Sequence, residues 1–130
     1  MPWVEVFAVF IVSHLVGDFA MQTEWQARHK FGGLGADPKA RRALVVHVAT
    51  YILAFIPAFV WLGSEIGALV AAIAAILVAS HLVVDDGRLV HRYMHAVKHT
   101  DPVKNPLVTV AVDQMFHVVI VFGLALLAVA

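Results

Sequence analysis

The chain has 130 residues, no net formal charge and no cysteine. Its residues are 62% hydrophobic and only 14% charged, with a mean hydropathy of +0.87. Soluble domains carry about 45–50% apolar and about 25% charged residues, so this composition belongs to a membrane protein. Neutral charge argues against a nucleic-acid partner, and the lack of cysteine excludes disulfides, thiolate metal sites and cysteine nucleophiles.

Four segments are long enough to cross about 30 Å of hydrocarbon. They are placed at Trp3–Glu24, Ala43–Leu62, Glu65–Asp86 and Pro106–Val129. No Lys or Arg precedes the first, and that segment contains His14 and Asp18. A cleaved signal peptide has the opposite pattern, so residues 3–24 are expected to remain as a helix. Between the first and second segments lie Arg28, Lys30, Lys39, Arg41 and Arg42, in a loop whose Gly32, Gly33, Gly35 and Pro38 predict irregular backbone.

Gly63 is expected to close the second helix and Ser64 to cap the third, giving a tight hairpin. Pro57 should bend the second helix. In the third, Ala68, Ala71, Ala75, Ala79 and Ser80 recur at helical spacing; such stripes permit close approach in lipid and predict a central helix. Arg88, Arg92, Lys98 and Lys104 follow. There Leu89, Tyr93 and Val97 form an apolar stripe opposite Arg88, Arg92 and the spaced His91, His95 and His99. This stretch is expected on the membrane surface or as an extension of the third helix. With basic residues confined to the two long loops, the positive-inside rule predicts cytoplasmic loops and both termini outside, in the cell (inner) membrane.

One phrase occurs twice: Ser13-His14-Leu15-Val16-Gly17-Asp18 and Ser80-His81-Leu82-Val83-Val84-Asp85. On a helix each His and Asp stand about 40° apart, one turn above the other, and face the same neighbour. Further histidines, His47 and His117, follow within the second and fourth segments, and Asp113 precedes His117 by one turn. The halves, about 1–62 and 65–130, therefore read as pseudo-repeats of one membrane domain, each a helical hairpin. Helix rise places His14 roughly 15 Å and Asp18 roughly 9 Å inside the cytoplasmic boundary, with Asp113 roughly 10 Å and His117 roughly 16 Å deep. His47 and His81 fall shallower, at roughly 7 Å.

The fold class expected is all-α: a four-span bundle of two similar hairpins sharing one site. Four imidazoles (His14, His47, His81, His117) and three carboxylates (Asp18, Asp85, Asp113) form a nitrogen-and-oxygen set suited to Zn, Mn or Fe(II). A divalent ion would keep buried carboxylates charged and fix the histidine tautomers. Two other readings stand beside it: a titrating proton or ion path, and His–Asp pairs that only fix helix packing, as in a structural subunit of a complex. Gln22, Gln114, Thr50 and Tyr51 lie where they would orient ligands. Beyond the bilayer, the expected partner is a second copy or a larger membrane complex.

The run His14-Leu15-Val16-Gly17-Asp18-Phe19, with Gln22 and Lys30 beyond it, resembles the opening signature of small bacterial membrane proteins grouped as domain of unknown function 3307. His47, His81 with Asp85, and Asp113-Gln114 with His117 match its other recurrent features, while Arg88 stands where that family has Lys. The resemblance implies the membrane class and this choice of residues, and supplies no activity. A looser similarity, in the His/Asp-rich spans alone, is to membrane-bound metal-dependent hydrolases, which implies metal-assisted hydrolysis; a lipid-linked or amphiphilic substrate entering from the cytoplasmic leaflet is a separate expectation.

Reporter fusions test the orientation. Fusions at Gly33 and Lys104 should read cytoplasmic and one at Ser64 non-cytoplasmic; the inverse pattern would reverse the sidedness derived from the basic loops.

Overall fold

A computed structural model describes residues 1–130 and is all-α. Helix α1, Trp3–Leu15, starts after Pro2 and buries Val6, Phe10, Ser13 and His14, the one-stripe spacing of an amphipathic helix. It continues as a π-helical turn over Val16–Ala20, closed by the Met21 N–H donating to the Val16 carbonyl at 3.0 Å. The first apolar segment thus ends earlier than the predicted Glu24. Thr23 stops it: its hydroxyl accepts from the Gln26 N–H while the Gln26 side chain accepts from the Thr23 N–H. This reciprocal capping starts a separate short helix, α2, Glu24–His29.

Helix α3 spans Pro38–Ile66, with Asp37 capping its start and Pro38 in its first turn. It is longer at both ends than the predicted Ala43–Leu62. Lys39, Arg41 and Arg42 lie on its first turns rather than in the loop, and the helix runs on through Pro57. Its end corrects a second expectation. Ser64 does not cap the next helix; its hydroxyl donates back to the Trp61 carbonyl. The chain turns instead at Gly67, whose φ is +61°, and α4 follows over Leu69–Asp85.

A 60° bend separates α4 from α5, Arg88–Ala96. The buried stripe of α5 is Val90 and Met94, with Leu89 and Val97 exposed, so the apolar face lies one position away from the predicted one. Helix α6, Pro106–Leu127, completes the chain. By length and apolarity, Trp3–Ala20, α3 and α6 can each cross a membrane, and α4 with α5 form a bent pair that passes the same test.

Helix α1 packs on α3 and α6, and α4 packs on the same two helices. At one end of this ring the core is apolar, built on Phe10, Phe55, Leu62, Ile73, Leu77 and Val121. Helix α4 turns Ile73, Leu77, His81 and Val84 inward, while Ala68, Ala71, Ala75 and Ala79 are exposed. The alanine stripe therefore faces away from the bundle, contrary to the reading that it makes this helix central.

Helices α2 and α5 lie at the other end, where the two long connections are fastened together. The Asp86 carboxylate accepts from the Leu34 N–H at 2.8 Å and from Arg88 Nε at 2.6 Å, and the Asp86 carbonyl accepts from the Gly32 N–H. Beside it Gly87 has φ +82°, and a Cβ there would stand 2.5 Å from the Phe31 ring.

Gly87→Ala should therefore destabilise the protein through both left-handed backbone strain of about 1–2 kcal/mol and overpacking of about 1–3 kcal/mol. The overpacking part should vanish when Phe31 is also truncated, so Gly87→Ala should lower the thermal midpoint in detergent less in a Phe31→Ala background than in the wild type. Equal losses in the two backgrounds would show that Phe31 yields freely.

Candidate metal centre

The four long helices bring five of the seven sequence-predicted residues to one point. Helix α1 and its π turn supply Asp18, α3 His47, α4 His81 and Asp85, and α6 His117; each is at most 5% exposed. His47 Nε2 and His81 Nε2 are 3.1 Å apart. Asp18 Oδ1 stands 3.3 Å from the first and 3.4 Å from the second. Asp85 Oδ2 stands 3.4 Å from His47 Nε2 and 2.6 Å from His81 Nε2. His117 Nε2 approaches the same Asp85 oxygen at 3.4 Å.

The two imidazole nitrogens share a hydrogen bond, but the approaches of the carboxylate oxygens to the rings are not hydrogen bonds by direction. Asp18 Oδ1, Asp85 Oδ2 and His117 Nε2 are all buried without a hydrogen-bond partner. His117 makes the point most clearly, because its Nδ1 donates to the Asp113 carbonyl at 2.8 Å. In the neutral ring Nε2 then carries a lone pair, and it faces a carboxylate oxygen. Such an arrangement repels unless a cation or proton stands between the two.

Spacing fits a cation. A tetrahedral ion with bonds of about 2.0–2.1 Å has ligand–ligand edges of about 3.3 Å. Four of the five edges given above among Asp18, His47, His81 and Asp85 lie at 3.1–3.4 Å. Only the His81–Asp85 edge is shorter. One carboxylate or ring atom from each of these four residues lies within 4.8 Å of the others.

Each central carboxylate has its second oxygen held from outside. Lys30 Nζ donates to Asp85 Oδ1 and, at 2.7 Å, to Gln22 Oε1. Gln114 Nε2 donates to Asp18 Oδ2 at 3.1 Å and to Asp113 Oδ2 at 3.2 Å. The Gln114 carbonyl accepts from His14 Nε2 at 2.8 Å, and His14 Nδ1 accepts from the Tyr51 hydroxyl at 3.0 Å. Tyr51, His14, Gln114 and Asp18 thus form one directed chain in which every donor has an acceptor. This is the outer support that fixes a ligand's orientation.

The structure does not bring His14 or Asp113 to the centre. Both ring nitrogens of His14 are engaged elsewhere, and its Nδ1 is 3.8 Å from Asp18 Oδ2. Asp113, Asp18 and His117 also cluster, but the Gln114 amide occupies the acid oxygens of that group. Asp113 is 23% exposed and opens to a cavity beside the site. Thr50, a suggested orienting group, donates to its own helix at the His47 carbonyl. Lys30, expected as loop charge and as part of the family-like signature but not as a site residue, is the group the sequence left out of the centre. Its signal was weak, a single basic residue of the family-like signature.

The profile of a family described as Protein of unknown function (DUF3307) matches residues 6–129. The chain belongs to this family. No curated protein and no solved structure matches it. Membership in DUF3307 covers every residue of the centre, and no similarity to a hydrolase accompanies it.

The two copies of the repeated phrase are not equivalent in this DUF3307 chain. At Gly17 an added Cβ would stand 2.5 Å from the Tyr51 ring; that ring also stacks on His81 at 3.5 Å between centroids. The second copy has Val84 at this place, packed with Val90, Met94 and Val112. Gly17→Ala should displace Tyr51 and destabilise the protein by about 1–3 kcal/mol, read as a lower thermal midpoint in detergent. An unchanged midpoint would show that the ring is not confined.

Proposed function

We propose that this protein is an integral membrane protein that binds one divalent metal ion, Zn, Mn or Fe(II), within a four-span bundle of two similar hairpins. The observation that carries the reading is the set of unpartnered atoms, Asp18 Oδ1, Asp85 Oδ2 and His117 Nε2, gathered with His47 Nε2 and His81 Nε2. Charge supports it too. Asp18, Asp85 and Asp113 against Lys30 leave two formal negative charges uncompensated when the imidazoles are neutral, and one divalent ion balances them. Burial without that compensation is costly. The long basic loops, and with them the centre, belong on the cytoplasmic side of the cell membrane in this reading.

Metal-assisted hydrolysis is the chemistry this donor set supports. A bound ion of this kind lowers the pKa of a coordinated water and polarises an ester or anhydride oxygen. His47, His81, Asp18 and Asp85 would hold the ion, with His117 beside Asp85, and water would enter on an ion that takes more than four ligands, as Mn or Fe(II) does. Asp113, outside that set and open to the cavity, would accept the proton of the attacking water. Gln114 holds Asp113 and Asp18 in register, and Lys30 keeps Asp85 Oδ1 from turning inward. A through-going ion path is less favoured, because Phe10, Phe55, Leu62 and Ile73 fill the bundle beyond the centre.

Elemental analysis of protein purified without chelator should find about one ion per chain. His81→Ala and Asp85→Asn should each lose it. Asp113→Asn should keep it while any metal-dependent hydrolysis falls by about a hundredfold or more. His14→Ala should keep the ion with affinity reduced by about 10–100-fold. Wild-type protein that takes up none of Zn, Mn or Fe would refute the reading.

A further inference from the structure

The acids of the centre open onto a cavity of about 410 Å³, within the range of small-molecule sites. Asp18, Asp85 and Asp113 line it on the side of the centre, with Gln22, Lys30 and His91 also on its walls. Short helices α2 and α5 contribute Ala27 and Val90. The lining also includes Phe19 and Val110, both more than half exposed. Phe31, half exposed, lies against the His91 ring at 4.5 Å between centroids.

This lining has two chemistries. With a divalent ion bound, its charge and that of Lys30 together balance the three acids, and the donors facing the cavity are the Lys30 ammonium, which also holds Asp85 and Gln22, and the His91 imidazole. Both favour an anion, and an anion can also reach the ion. At the lip, Phe19 belongs to the π turn and Val110 to the second turn of α6. There one apolar helix ends and another begins, and the exposed surface is hydrocarbon-like. A polar head and an apolar chain would each find a matching environment within one cavity.

We infer that this cavity binds the anionic, phosphate-type head of an amphiphile, whose chain leaves over Phe19 and Val110; the inference rests on the metal-binding reading above. The head meets Lys30, His91 and the ion, and the chain stays at the level of the helix ends.

The test uses the full chain in nanodiscs of zwitterionic lipid, loaded with Mn²⁺, with decylphosphonate as probe. Electron paramagnetic resonance counts the bound Mn²⁺, and ³¹P relaxation of the phosphonate reports proximity to it. Relaxation of decylphosphonate should be at least tenfold faster with wild type than with Phe19→Glu, while both proteins carry the same Mn²⁺ count. Lys30→Met should also reduce it, at a Mn²⁺ count matched by titration. Methylphosphonate should bind at least a hundredfold more weakly, because it keeps the anionic head and lacks the apolar chain. Equal affinity for methylphosphonate would make the ligand a soluble anion and overturn the inference. So would displacement by decyltrimethylammonium, which shares the chain and reverses the charge. Full Mn²⁺ occupancy with no ³¹P effect would overturn this inference alone, whereas no bound Mn²⁺ would overturn the metal reading and this one together.

Discussion

Two carboxylates buried in the apolar interior set the terms for everything around them. An ionised carboxylate away from water needs partners for all its lone pairs, or its burial is prohibitively costly. Asp18 and Asp85 meet that demand in the same way, by unrelated means. One oxygen of each is held from outside, by the Gln114 amide for Asp18 and by the Lys30 ammonium for Asp85. The other oxygen of each is turned toward imidazole nitrogens and has no hydrogen-bond partner. Helices α1, α3, α4 and α6 pack as they do around these two acids, and the short helix α2 is required because Lys30 sits at its end.

Much of this was legible in the sequence. Helical periodicity places His and Asp of each repeated phrase on one face, and helix rise brings the reversed Asp113–His117 pair to a comparable depth on an antiparallel helix. Depth alone does not say which way a ring turns. His14 lies at the right level, yet its nitrogens go to Tyr51 and Gln114, partners distant in sequence. His47, placed shallower by rise, is central, because α3 starts five residues earlier than expected and shifts every residue on it; His81, on α4, meets it there. The hairpin misplaced at Gly63 and Ser64 has a similar cause. Both residues are tolerated in a helix whose apolar face continues to Leu62, and only Gly67 takes the positive φ that ends it.

The π turn was beyond reach of pattern reading, since a single wide turn leaves the hydrophobic spacing almost unchanged. Its effect on geometry is clear from the second copy. In regular helix α4 His81 Nε2 and Asp85 Oδ2 are 2.6 Å apart, whereas His14 and Asp18 stay 3.8 Å apart. Such insertions in a helix are often found at functional sites. Here the widened turn goes with a glycine that admits the Tyr51 ring, so the same six-residue phrase gives a ligand pair in one half and a ligand with its support in the other.

The distribution of the five converging groups along the chain bears on how the protein is made. Asp18 and His47 are synthesised first, while His81, Asp85 and His117 come from the later half. At a synthesis rate of about 5–20 residues per second, the first two wait seconds, with only each other, before the remaining three emerge. During that interval Asp18 raises the cost of insertion, by less than the roughly 2.5–3.5 kcal/mol of an acid at a helix centre because it lies near the end of Trp3–Ala20. The Asp86 clasp on the 32–34 loop also cannot close until α4 is complete. The centre therefore closes late in synthesis: His81 and Asp85 arrive with α4, and His117 only with α6.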